Sequence, residues 1–561
     1  MAITHSFVSG KGDDPDATLV DGTAWDAAHT IASDTVTEAM LSTADNTTKD
    51  ASASKHGFLA KVSGSSGDYV GGDNACHALP GAAGVFFNVK DAAYGAVGDG
   101  DGDDASPTGT EDYEAVLDAV QAAYTAGGGW VYFPTGTYRM STGGTFTTLD
   151  LRNYPGVKFC GDGLDCSWIW GNIRGGSNQI FQDLKIGRKG YEGLYIQGGY
   201  TDSSAFRCEF RGGGGGSSDG GHGTNTVRLG GTSTTGTVRN ITFRDCRFQR
   251  PLEATYTGNC IRVTTSEAGT DTSYVENVLF DHCHIGVTNG IATGSARMGV
   301  EIWGNGAAST RTKSWKRIDF IDCIFEKTDS SQLDYAGLLS SADSSIPLGG
   351  WSTVKGCLFK GCGDTNNDFV LQFEPAQHMN IVGNTFWKTD HQWVKNIYAS
   401  DAYTGNTFVG NTFDGVTDHG ESITKDNSAY IIDVGIGDIW SGNIFHLNTQ
   451  GSSPAILLSG ANIVFSNNRV VDEATTTSYG YLLWIDDVNA SYGDSGGAKN
   501  VISGNYFHSP RNGACVTVDG ASTYNLFHGN YFDHGSATTF DGTGTPLKKD
   551  NFYAFDQSFD A

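Results

Sequence analysis

The sequence predicts an all-β chain wound as a parallel β-helix, a solenoid of stacked coils. Three observations carry this. A short phrase recurs: N-I-T-F-R-D-C-R-F at 240–248, N-V-L-F-D-H-C-H-I at 277–285, R-I-D-F-I-D-C-I-F at 317–325 and V-K-G-C-L-F at 354–359. It then continues with asparagine in place of cysteine, as at 380–386, 407–413, 438–445, 462–468, 500–507 and 525–532. Aligned, one column reads Cys208, Cys246, Cys283, Cys323, Cys357, Asn384, Asn411, Asn443, Asn467, Asn505, Asn530, in steps of 24 to 40 residues. Within a copy the period is two, with Ile241, Phe243 and Phe248 on apolar beats and Arg244 and Arg247 beside them.

Each observation has a physical consequence. A strand–corner–strand unit cannot bury its apolar side alone, so copies stack. Unequal steps mean constant coils joined by loops of unequal length. Coils of paired strands lie ~4.8 Å apart, and that spacing lets asparagine side chains hydrogen-bond along the axis.

Composition agrees. Of 561 residues, 78 are glycine and 18% are charged, as expected where Gly and Asn supply left-handed corners. A formal charge of −27 argues against nucleic acid as partner and against simple attraction to an anionic membrane. The cysteines number 11, and five fall in the stacked column, so they read as reduced core fillers. No C-x-x-C or His/Cys spacing suggests a metal, and no cofactor motif is seen. The start lacks the basic and apolar regions of a secretory signal. No run of ~18 apolar residues exists to insert in a membrane, so synthesis in a cytoplasm is expected.

In chain order, residues 1–36 are polar, with T-H-S-F-V-S-G-K and D-A-T-L-V-D-G-T-A-W-D-A-A-H-T-I. They resemble the opening of bacteriophage tail-fibre and tailspike proteins, which implies a virion-attachment segment. Residues 37–84, with T-A-D-N-T-T-K-D-A-S-A-S-K-H-G-F-L, resemble a small module of phage fibres; Cys76 stands where that module usually carries an aromatic residue. At 87–138, F-N-V-K-D-A-A-Y-G-A-V-G-D-G, T-E-D-Y-E-A-V-L-D-A-V-Q-A-A and G-G-G-W-V-Y-F-P-T-G-T-Y resemble the opening of pectate-lyase-like β-helix proteins, tailspikes included. The resemblance implies a right-handed helix. We expect 85–156 to hold this opening, 157–534 the β-helix body and 535–561 a C-terminal tail.

The pattern at 111–126 predicts an amphipathic capping helix, with Thr110 as N-cap, Gly127 as stop, and Tyr113, Val116, Leu117, Val120 and Tyr124 on one face. Asp99, Asp101, Asp103 and Asp104 precede it. Counted from Asp99, the twelfth position of a calcium loop would be Thr110 rather than glutamate, so a solvated turn is expected.

Between the phrases runs a second strand: G-L-Y-I-Q at 193–197, T-V-R-L at 226–229, C-I-R-V-T at 260–264, G-V-E-I-W at 299–303 and V-L-Q-F-E at 370–374. With the apolar beats inside, the outer stripe reads Tyr195, Gln197, Arg228, Arg262, Glu301, Trp303, Gln372 and Glu374. Acids move protons, Arg grips carboxylates and hydroxyls, and Trp stacks on a sugar's C–H face. Glu301 and Glu374 are the expected catalytic pair. Two coils separate them by about 9.6 Å, near the upper end of the ~6.5–9.5 Å of inverting glycosidases. Substrate contacts are expected from Tyr195, Arg228, Arg262, Trp303, Gln372 and from His222 in the glycine-rich loop 211–223. The G-H-G there resembles one element of polygalacturonase-like glycosidases, without its companions. Asp334, Asp343 and Asp433 are alternatives. Outward charges on a solenoid also arise simply because they face water.

The tailspike resemblance implies a homotrimer held to the phage tail or baseplate by its N-terminus, contacting host cell-surface polysaccharide. Hydrolysis of that polysaccharide is the first expectation. A non-enzymatic binding spike and a lyase are the alternatives.

Overall fold

The fold was analysed in a computed structural model. It describes residues 86–554 apart from 102–107, 189–191, 213–224, 232–235, 250–258, 269–270, 287–297, 306–314, 327–335, 343–348, 363–368, 374–375, 388–391, 397–403, 415–430, 448–453, 474–480, 487–497, 511–514, 520–523, 535–539, 542–543 and 545. Elsewhere it describes short strands only. The chain divides into two compact units, Met1–Phe86 and Phe87–Ala561.

In the first unit three strand pairs are described. Ile3–His5 runs antiparallel to His29–Ile31, Asp50–Ala51 parallel to Leu59–Ala60, and Asp68–Val70 antiparallel to Cys76–Ala78.

The second unit is a right-handed parallel β-helix. One coil shows the scheme. Val227–Gly230 lies on a first face, Gly236–Arg244 on a second and Arg247–Gln249 on a third. Ile261–Ala268 then returns to the first face, in parallel register with Val227–Gly230. The third face is a sixteen-stranded sheet, and the other two join in a 32-stranded one. Ile241, Phe243 and Phe248 point inward, with 1%, 1% and 0% exposure, as the alternation predicts. The stack repeats identical rings: Phe325, Phe359, Phe386, Phe413 and Phe445 lie 4.5, 4.8, 4.4 and 4.9 Å apart in succession.

The corner between the second and third faces explains the recurring phrase. Its first residue is left-handed: Asp245, His282 and Asp322 have φ of 54°, 52° and 50°, and Gly356, Gly383, Gly410 and Gly442 follow at 64–65°. That conformation costs an ordinary L-residue about 1–2 kcal/mol, and glycine avoids the cost. The next residue turns inward. Early coils place a buried thiol there, and Cys246 Sγ lies 3.3 Å from Arg244 O and 3.5 Å from Ala205 O. Later coils place asparagine, whose Oδ1 accepts the N–H of the corner residue below and whose Nδ2–H donates to a carbonyl. Asn411 Oδ1, for example, accepts from Asn384 N at 2.9 Å, while Asn411 Nδ2 donates to Ile381 O at 2.9 Å.

The structure corrects the column at one place. The ladder passes through Asn468, which accepts from Asn443 N at 2.9 Å, and not through Asn467. Asn467 holds the left-handed position at φ 54°, where the flanking coils use glycine. Adjacent asparagines in S-N-N are indistinguishable by spacing alone. The ladder also runs one step further, to Asn551, which accepts from Asn530 N at 2.9 Å.

The boundaries of the body move accordingly. Trp130–Phe133 already pairs in parallel with Lys158–Gly161, so coiling begins inside the expected opening segment. At the other end Leu547–Lys549 and Phe552–Tyr553 add a coil above 534, where a tail was expected.

The capping helix spans Tyr113–Thr125 and ends on Gly127, at φ 87°. It starts later than expected, and Asp112 rather than Thr110 is its N-cap residue. Asp112 does not cap with its side chain; its carboxylate accepts from Val97 N at 2.7 Å and Arg139 N at 3.2 Å, tying the helix to the first coil. Thr110 is engaged by Asp99, and Thr108 by Asp101. The buried face is Val116, Ala119, Val120 and Ala123, while Tyr124 is exposed. Small alanines let the helix lie close on the coil. Among the described residues no helix is long and apolar enough to cross a membrane.

Candidate functional site

On the first face the inward beats, Leu194 and Ile196, Val227 and Leu229, Ile261 and Val263, Val300 and Ile302, are buried. The residues between them therefore point away from the core. Backbone register sets Asp150, Arg174, Tyr195, Arg228, Arg262, Glu301, Leu339 and Gln372 at equivalent positions of successive coils. Tyr195, Arg228, Arg262, Glu301 and Gln372 thus share a file, with Gln372 two coils from Glu301. Asp150 and Arg174, and Arg152 beside them, extend the file downward and were missed by sequence reasoning. The signal was there in L-D-L-R at 149–152 and I-R-G at 173–175, which carry the same alternation.

The file has an open end and a closed middle. At the open end Arg152 Nε donates to Asp150 Oδ1 at 2.8 Å and Arg152 Nη1 to Gln197 Oε1 at 3.0 Å. The guanidinium of Arg152 holds the Asp150 carboxyl below the usual carboxylate range. Next, the Arg228 guanidinium sits 4.9 Å from the Tyr195 ring centroid and Nη1 donates to Glu192 Oε1 at 3.3 Å. Burial pushes the Tyr195 phenol up, against the pull of Arg228.

In the middle, Arg262 Nε lies 3.1 Å from Glu301 Oε2, and Asn259 Nδ2 donates to the same oxygen at 2.6 Å. These side chains are 2% and 4% exposed. The stripe expected to stand open is covered here, a correction to the sequence reading. Alternation reports which way a residue points and is silent about what lies over it. Glu192 and Asn259, in corners outside the strand period, carry no sequence signal of their role.

Glu374 and His222 lie outside the described residues. Trp303 is placed by its strand alone. Of the alternatives, Asp433 is fully buried, and Asp334 and Asp343 fall outside the description. Among the described residues no three His, Cys, Asp or Glu side chains gather as a metal site.

Residues 86–327 match the family model described as rhamnogalacturonase A/epimerase, pectate lyase-like. Among curated proteins, mannuronan C5-epimerase AlgE1 of Azotobacter vinelandii is 44% identical over 80 residues, 14% of this chain and 5% of its own length. Alginate lyase 7 of the same organism is 47% identical over 78 residues, 14% of this chain and 8% of its own length. The chain thus spans a small part of the curated relatives it matches. Among solved structures, tailspike protein 3 of bacteriophage CBA120 is 12% identical with a TM-score of 0.42, over 81% of this chain and 59% of that one. The A-module of the A. vinelandii mannuronan C-5 epimerase AlgE6 is 15% identical with a TM-score of 0.31, over 83% and 99%.

Proposed function

We propose that the chain is a phage tailspike that binds bacterial surface polysaccharide along its first face and hydrolyses it as an endoglycosidase. The observation that carries this reading is the single file of Tyr195, Arg228, Arg262, Glu301 and Gln372, which sets guanidinium, aromatic and carboxyl groups at coil spacing. The family model and the relatives named for polysaccharide chemistry support the substrate class. Glu301 and Glu374 remain the proposed acid and base. Gln372, two residues before Glu374, stands two coils from Glu301, a separation of about 9.6 Å.

One observation favours a second reading, a spike that binds without cleaving. Asn259 donates an N–H to Glu301, the Arg262 guanidinium lies against the same oxygen, and the trio is enclosed. A lyase is the remaining alternative; burial raises the Tyr195 phenol pKa, which works against its use as a base.

We further propose that residues before Phe87 attach the chain to the tail and that three copies associate. An outward apolar file supports association: Ile439, Val464, Val501, Leu526 and Leu547 stand in register on the second face, with Ile439 40% and Leu547 61% exposed.

The test is incubation of the protein with a panel of capsular and lipopolysaccharide glycans, following reducing ends and unsaturated-uronate absorbance. Reducing ends without absorbance support hydrolysis. Both together indicate a lyase, and retained binding with neither indicates the binding spike.

A further inference from the structure

We propose that the corner formed by Trp351, Lys316 and His378 is a second saccharide contact, and that it takes a sugar residue bearing a carboxylate. The proposal rests on the reading that the chain binds polysaccharide; it adds a class of sugar and a place away from the first-face file.

The corner between the first and second faces carries a left-handed residue in successive coils. Asn240 and Asn277 hold it at φ 56° and 54°, Arg317 and Trp351 at 53°, His378 at 54° and Gly405 at 59°. Asparagine and glycine suit this conformation, and a bulky residue there is an outlier. The fold does not call for an indole at Trp351. Its ring is 46% exposed, and the corner is held by its backbone N–H, which donates to Gln377 O at 3.0 Å. Strain kept without benefit to packing points toward function.

The preceding glycines aim the residue outward. A Cβ on Gly349 would meet the Trp315 ring at 2.2 Å, and one on Gly350 would meet Gln377 O at 1.8 Å. The strand is therefore pressed flat against its neighbours just before the corner.

Two cations, Lys316 and Arg317, stand on the coil below the indole. Lys316 Nζ, from the coil below, lies 5.1 Å from the Trp351 ring centroid. The His378 ring, from the coil above, lies 5.1 Å away and tilted by 36°. Arg317 is exposed at the adjoining corner position. Neither Lys316 nor Arg317 is ion-paired among the described residues; Asp319, which feels Arg317, accepts the Thr353 N–H at 2.7 Å. In a chain of net charge −27, an anionic polymer is repelled broadly and received where cations gather. An exposed indole supplies the apolar surface on which a sugar ring rests, and the flanking cations answer its carboxylate.

The test is calorimetric titration of the full chain with polygalacturonate, polymannuronate and neutral dextran. Trp351→Asn installs the residue of the equivalent corners at 240 and 277, so folding is retained and checked by its melting temperature. It is expected to weaken binding of both polyuronates about tenfold, and dextran binding is expected to be unchanged. Lys316→Gln is expected to weaken polyuronate binding and flatten its salt dependence. Unchanged polyuronate binding by Trp351→Asn overturns the proposal and leaves the first-face reading standing. A wild-type chain that binds dextran or other neutral glycans, but no polyuronate, does the same. A chain that binds none of them also overturns the proposal, and the first-face reading is then judged on the capsular and lipopolysaccharide panel.

Discussion

Arg262 Nε and Glu301 Oε2 lie 3.1 Å apart on successive coils of the first face, with 2% and 4% of their side chains exposed. A buried pair of this kind stabilises little against an apolar pair, yet removing one member strands the other. Arg262→Ala is expected to cost about 3–5 kcal/mol, and the double variant Arg262→Met with Glu301→Leu much less. Denaturant unfolding of the two variants beside wild type measures both. If Glu301 also serves in turnover, Glu301→Gln will abolish product release from polysaccharide and leave binding in place. Full activity in that variant removes it from the mechanism, and Glu374→Gln is judged the same way.

The ladder gives a prediction about two neighbouring asparagines. Asn468 links Asn443 N below and Trp440 O, at 2.9 and 3.0 Å, in a buried site. Asn468→Ala leaves those groups unsatisfied and is expected to cost about 1–3 kcal/mol. Asn467→Gly relieves a left-handed φ of 54° and is expected to be neutral or stabilising. The opposite ordering of melting temperatures would contradict the assigned register.

Two buried carboxyls predict a pH effect. Asp438 is wholly enclosed, and burial followed by the charge of Asp433 holds its pKa well above the ordinary 3.8. Its folded form thus binds a proton more tightly than its unfolded form. The contribution to stability is full below pH ~4 and is lost as pH rises toward the raised value. Asp438→Asn should therefore gain melting temperature over wild type at pH 8 more than at pH 4. Asparagine fits, because Asn406 and Asn500 accept backbone N–H groups at the same corner. An equal difference at both pH values would sink the assignment.

The outward file on the second face predicts association. Val501, between Val464 and Leu526 in register, is expected to lose a partner surface when made Val501→Glu. Sedimentation should then show monomer in place of trimer. A wild-type chain that is already monomeric refutes the proposed assembly.

Much of this was legible from residue order. The coil, its inward beats and the file of Tyr195, Arg228, Arg262 and Glu301 follow from period-two alternation, which geometry must obey. The choice between Asn467 and Asn468 was not legible, because both are asparagine and only the sign of φ separates them. The onset of the capping helix was misplaced because Asp112 is used by backbone N–H groups far away in sequence. Neither Asn259 at Glu301 nor His378 against Trp351 announces itself in spacing, since corners have no period.

By itself the sequence determined that the chain winds into stacked coils, because alternating apolar beats and repeated inward Cys and Asn have no other way to be buried. It also determined which side chains turn outward. Only the tertiary structure decided which outward groups meet water and which are enclosed, as Arg262 and Glu301 are. Exposure depends on what neighbouring coils and loops place over a face, and contacts between distant segments leave no mark on the local pattern.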